Sequence, residues 1–167
     1  MKKSGTTFVE KQKKQESLYS KGSMEKDKVF LDSSILIAAL LSSQGGSFYI
    51  LDQLFSIYEL QINEYVLEET MRVLATKFHE KPELKTTLFL MIGIARIQIL
   101  PNPSLKQIKN LEKVLNPEDA PILASAWEHS AYLISLDKDF FAHKVVEFIK
   151  NKNLLILKPR EFIALLK

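Results

Sequence analysis

Residues 29–46 read VFLDSSILIAALLSSQGG. Three large apolar residues of strand character stop at one carboxylate, Asp32. Two serines follow, then an apolar run of helical character that ends at Gly45 and Gly46. A charge between two elements that both read as buried is costly unless something neutralises it. Strand, acid, helix is the opening unit of a parallel α/β sheet, where ligands bind beyond the carboxyl ends of the strands. Asp32 stands at such an end, which raises the question of what else meets it there.

Beyond this stretch, short strands alternate with amphipathic helices. The first strand is Lys28–Leu31. Helices are expected over 34–41 and 47–57, parted by the two glycines. A strand over 58–62 leads to Asn63, a good N-cap for a helix over 64–78. Pro82 opens a helix over 82–93, as proline tolerates in a first turn. A strand over 96–100 ends at Pro101, and helices follow over 105–115 and 120–130. Strands over 131–136 and 154–157 and helices over 143–150 and 160–166 complete the pattern. The order predicts an α/β fold with three α/β/α layers around a central parallel sheet of four to five strands.

The 167 residues suit one domain, and 46% hydrophobic residues can supply its core. There is no cysteine, which excludes disulfides and thiolate metal sites and is compatible with the cytoplasm. The apolar runs 33–43 and 86–95 are too short to span a bilayer, so no membrane association is expected. Residues 1–28 hold eight lysines and four acids, net +4, whereas the whole chain is +3, leaving −1 for the rest. This segment has few large apolar residues and is read as a poorly ordered basic tail preceding a domain at 29–167.

Acids fall at successive strand ends. Asp32 follows the first strand, and Glu69 lies in the helix after the second. Asp119 opens the helix before the fourth strand, and Asp137 and Asp139 follow that strand. Each has an ordinary explanation: Asp32 and Asp119 as helix caps, Asp137 and Asp139 in a turn, Glu69 on a solvated helix face. Caps explain less well why all of them fall on one rim of a parallel sheet. Crowded carboxylates raise one another's pKa, and a hard divalent cation such as Mg²⁺ removes the conflict. On this reading Asp32 is a metal ligand in an acidic cluster. Glu68 is expected to pair with Arg72 at i+4, leaving Glu69 the more shielded of the two.

These stretches resemble the PIN domain, a family of metal-dependent ribonucleases that includes many toxins of toxin–antitoxin pairs. VFLDSSILIAAL is similar to the family's opening strand with its acid at Asp32. INEYVLEETMRVL matches the second motif at Glu69, NPEDAPILASAW the third at Asp119, and AYLISLDKDF the fourth at Asp137. LLILKPREFIALL is similar to the closing strand, proline and helix. The resemblance implies an endoribonuclease using Mg²⁺ or Mn²⁺, with Asp32, Glu69, Asp119 and Asp137 catalytic. Asp32, Asp119 and Asp137 would hold the metal, and Ser33, Ser135 and Asp139 would be accessory. The chain departs from the family in having Ser34 in place of a frequent asparagine, Ser135 where threonine is common, and Asn116 where many relatives carry a further acid.

An RNA substrate, an antitoxin protein and a homodimer formed through the two early helices are the partners expected. Arg72, Lys77, Lys81, Lys106, Lys109, Lys138 and Lys144 are candidates to guide RNA, and Tyr65 or Phe140 to stack a base. Trp127 is read as packing, and the three histidines have no metal-site spacing. The rival readings are a PIN-fold binding module without catalysis, an RNA-processing nuclease without an antitoxin, a receiver-type phosphotransfer domain and a flap nuclease. A receiver would place its paired acids and late lysine differently, and the chain lacks the length for a flap nuclease's extra helical elements.

Overall fold

A computed structural model describes residues 25–166. The tail reading therefore falls almost entirely outside the described residues. Five strands form one parallel sheet: β1 (Lys28–Leu31), β2 (Glu59–Asn63), β3 (Gln98–Leu100), β4 (Tyr132–Ile134) and β5 (Leu155–Leu157), in the order β3-β2-β1-β4-β5. Eight α-helices connect and cover them: α1 (Ser33–Leu41), α2 (Gly46–Gln53), α3 (Glu64–Lys77), α4 (Glu83–Ile94), α5 (Leu105–Leu111), α6 (Ala120–His129), α7 (His143–Ile149) and α8 (Pro159–Ala164). The expected α/β fold is the one observed.

In β1, Val29, Phe30 and Leu31 are all fully buried, so both faces of the sheet's centre are covered, as a parallel sheet requires. The strand order reverses between β1 and β4. Leu31 is in register with Ile134, which sets Asp32 beside Ser135, and the Asp32 amide donates to the Ile134 carbonyl at 3.1 Å. That reversal is where an open α/β sheet forms its crevice.

Some expected boundaries shift. The second helix stops at Gln53 and continues as a 3₁₀ turn, Leu54–Ser56. Arg96, read as the start of a strand, instead closes α4 with φ of 51°. The Ile97 amide there reaches back to the Ile92 carbonyl at 3.0 Å, a left-handed helix terminus occupied by a non-glycine residue. Gly46 lets α2 approach α8 closely, because a Cβ there would lie 3.2 Å from the Pro159 Cβ and the proline would have to give.

The early helices bury most of their apolar surface. Ile35, Leu36 and Ala39 of α1 are core, and α1 packs against α2, α3 and α4, leaving Leu41, Tyr49 and Ile57 exposed in this region. More exposed apolar surface lies on α4, at Phe89, Leu90 and Ile94. No single helix among the described residues is long and apolar enough to cross a membrane.

Candidate functional site

The rim above β1 and β4 is joined by two serines. Asp32 is only 4% exposed, and its Oδ2 accepts from the Ser34 hydroxyl at 2.6 Å and the Ser135 hydroxyl at 2.8 Å. Ser34 Oγ in turn accepts from the Leu136 amide at 3.1 Å, and Ser135 Oγ from the Asp137 amide at 2.9 Å. Asp32 makes no side-chain cap to α1, so its position is not explained by capping. Burial raises its pKa against the hydrogen bonds from Ser34 and Ser135.

Asp119 is brought over the same rim by α6. Asn63, fully buried at the end of β2, caps α3 by accepting from the Val66 amide at 2.9 Å. Its amide group also donates to the Pro121 carbonyl at 3.2 Å and the Ser125 hydroxyl at 2.8 Å. One side chain thus fixes the first turns of both helices against β2.

The capping expected of Asp119 is performed by Asn116, whose Oδ1 accepts from the Asp119 amide at 2.9 Å. Asn116 Nδ2 donates to Asp119 Oδ2 at 2.7 Å and to Asp139 Oδ2 at 3.4 Å. The Asp119 carboxylate, in a residue 8% exposed, is left free of any capping bond. Burial first, and then Asp137, Asp32 and Asp139, push its pKa up to about 6 against the Asn116 hydrogen bond.

Asp137 does act as a cap: its Oδ1 accepts from the Asp139 amide at 2.9 Å and opens the 3₁₀ turn Lys138–Phe141. Asp119, Asp137 and Asp139 each offer a carboxylate oxygen, and these lie within 4.8 Å of one another. The tight trio thus includes Asp139, read from the sequence only as accessory. Asp32 and Glu69, expected from the sequence to converge with Asp119 and Asp137 within reach of one divalent ion, fall outside this tightest trio. Asp32 is nevertheless on the same rim, near enough to raise the pKa of both Asp119 and Glu69.

Glu69 lies in the second turn of α3. Burial raises its pKa, with Ser33 beside it opposing, Asp32 raising it further and Arg72 lowering it. Its Oε2 is buried and has no hydrogen-bond partner. The expected Glu68–Arg72 pair does not form: no salt bridge among the described residues involves Arg72, and none involves any of the five rim acids. An all-oxygen donor set, a close carboxylate trio without a compensating cation and an orphaned buried Oε2 fit a hard divalent ion.

Phe140, a base-stacking candidate, is fully buried and cannot stack a base. Trp127 is half-exposed and stands edge-on to Phe148, with the Lys152 ammonium 4.5 Å from its ring centre. Asn116 was legible only as a departure from a motif. The three-residue spacing to Asp119, normal for a side chain that caps an amide, was the signal for its role.

A PIN domain family model matches residues 29–146. The chain belongs to the PIN-domain family. The fold of this PIN domain is shared with PAE2754 from Pyrobaculum aerophilum, with a TM-score of 0.55 and 12% identity over 83% of this chain and 96% of that one. It is also shared with VapBC2 from Rickettsia felis bound to a DNA fragment from their promoter, with a TM-score of 0.54 and 17% identity over 78% and 98%. No curated protein matches the sequence.

Proposed function

We propose that this PIN domain is a Mg²⁺- or Mn²⁺-dependent endoribonuclease acting in the cytoplasm as the toxin of a toxin–antitoxin pair. The observation that carries the reading is the uncompensated carboxylate rim at the strand-order reversal of a PIN fold. Asp119, Asp137 and Asp139 would hold the cation, with Asp32 contributing from its place beside Ser135. When bound, the cation supplies Lewis acidity that lowers the pKa of water and offsets charge growing on the scissile phosphate.

The chain's own residues do the positioning. Ser34 and Ser135 hold Asp32 at the rim, and Asn116 holds Asp119 toward Asp139. Glu69, with Ser33 beside it and one oxygen free, is placed to orient the attacking water and accept its proton. Its raised pKa brings it nearer the working range of a general base. The VapBC2 neighbour supports an antitoxin partner. Leu41, Tyr49 and Ile57 are the exposed apolar residues on which a homodimer through the early helices would rest.

The test is Mn²⁺-dependent cleavage of a structured RNA by the wild type and by Asp119→Asn. Cleavage by the wild type, lost on chelation and reduced at least about a hundredfold in the variant, is expected for loss of one charge-bearing ligand. Equal cleavage by the variant, or none by the wild type with a folded chain, refutes the assignment.

A further inference from the structure

Between α3 and α4 lies a cleft of about 550 Å³ whose floor includes Met71 and Phe78. Arg72, His79, Lys81 and Lys85 line it, with Glu68 as its one acid. None of Arg72, Lys81 and Lys85 is in a salt bridge among the described residues. Lys81 and Lys85, together with Arg72, which also faces Glu69 and Tyr65, contrast with the acidic rim nearby. The two are adjacent: Arg72 follows Glu69 by three residues, about 4.5 Å of helical rise. Phe78, just past the last residue of α3, lies about 14 Å from Glu69 along the helix axis. A strand whose phosphate sits at the acids thus meets cations as soon as it leaves them toward α4.

We infer that the α3–α4 cleft binds single-stranded RNA beside the acidic rim, its phosphates on Arg72, Lys81 and Lys85 and a base against Phe78. The inference rests on the nuclease reading and assigns that activity a second contact surface. Charge decides the occupant. A polyanion satisfies three cations at once, and cations with an aromatic floor are the ordinary means of holding single strands. Met71, Leu74, Ala75, Phe78 and Pro82 also give the cleft an apolar lining, so a peptide is the competing occupant that the experiment separates from RNA.

The experiment is fluorescence anisotropy of a short labelled single-stranded RNA in EDTA, so that binding is read without cleavage. Wild type, Lys81→Ala/Lys85→Ala and a control, Lys113→Ala, are compared across a salt series. The double variant is expected to bind about tenfold more weakly, and its log–log salt slope to be shallower by about 1.4, two phosphate contacts' worth. The control is expected to match the wild type. RNA carrying 4-thiouridine is expected to photo-crosslink at Met71 or Phe78. Equal affinity and slope in the double variant, crosslinks only outside the cleft, or binding of an acidic peptide but not of RNA overturns the inference. Mn²⁺-dependent cleavage assayed in parallel separates the outcomes: cleavage with an unchanged double variant sinks the cleft alone, and no cleavage sinks the nuclease reading.

Discussion

Asp119 carries the electrostatic tension of the rim. Its carboxyl titrates near pH 6 in the folded chain against 3.8 as an ordinary aspartate. Between those values the folded state binds the extra proton. Its contribution to stability is therefore most favourable below about 3.8 and is lost as pH rises through about 6. In metal-free urea unfolding, Asp119→Asn is expected to remove that pH dependence and to equal or exceed the wild type at pH 7, by on the order of 1–2 kcal/mol. Asparagine presents an oxygen to Asn116 without the charge, so the fold is kept while Mn²⁺ affinity measured by calorimetry falls. Asn116 has the opposite profile. Asn116→Ala removes the acceptor for the Asp119 amide and is expected to cost about 1 kcal/mol. Asn116→Asp keeps the cap but adds a charge beside Asp119 and Asp139. Its metal-free melting temperature should fall below the wild type's, and added Mn²⁺ should restore more than it gives the wild type. Ser135→Ala leaves both Asp32 Oδ2 and the Asp137 amide short of a partner, and is expected to cost about 1–3 kcal/mol in the same unfolding assay.

The elements hold these side chains through a few joints. β1 and β4 pair in a register that sets Asp32 beside Ser135, and Asn63 at the end of β2 fastens α3 and α6 together. The terminus of α4 is a different kind of joint. Arg96 is exposed and sits at φ of 51°, a conformation that costs a residue with a Cβ about 1–2 kcal/mol. Glycine avoids that cost but loses more entropy on folding. Arg96→Gly is expected to raise stability by about 0.5–1 kcal/mol, read as a higher denaturant midpoint with an unchanged slope. A lower midpoint would show that the arginine makes contacts worth more than the strain.

For the molecule as a whole, the acidic rim links folding, metal and pH. A divalent ion that binds only the folded chain stabilises it by about 2.7 kcal/mol at a hundredfold excess over its Kd. Because Asp32, Glu69 and Asp119 all have raised pKa values, protons compete with the ion, and affinity is expected to tighten as pH rises through about 6. Titration calorimetry of Mn²⁺ at pH 5.5 and 7.5 checks this; equal affinity at both would separate the metal from the buried acids.

Much of this was legible in residues 29–46 and the motifs after them. Apolar periodicity, Asn63, Pro82 and Pro159 set strands and helices in order, and parallel α/β geometry then obliges the acids at strand ends to share a rim. That inference needs only local preference and the rule that parallel strands begin and end together. The grouping within the rim was not legible. The sequence places Asp32 first among the acids, yet the β1–β4 register gives it two serine partners and leaves it outside the trio. Asp139 enters the trio because the turn capped by Asp137 folds it back. Asn116, rather than Asp119, caps α6 because the turn ahead of that helix presents the Asp119 amide to it. The apolar excess of α1 belongs to the core because three other helices close over it. Each of these is a distance between residues far apart in the chain or an orientation set by packing. Composition and spacing constrain neither, since both depend on which surfaces meet once the sheet has formed.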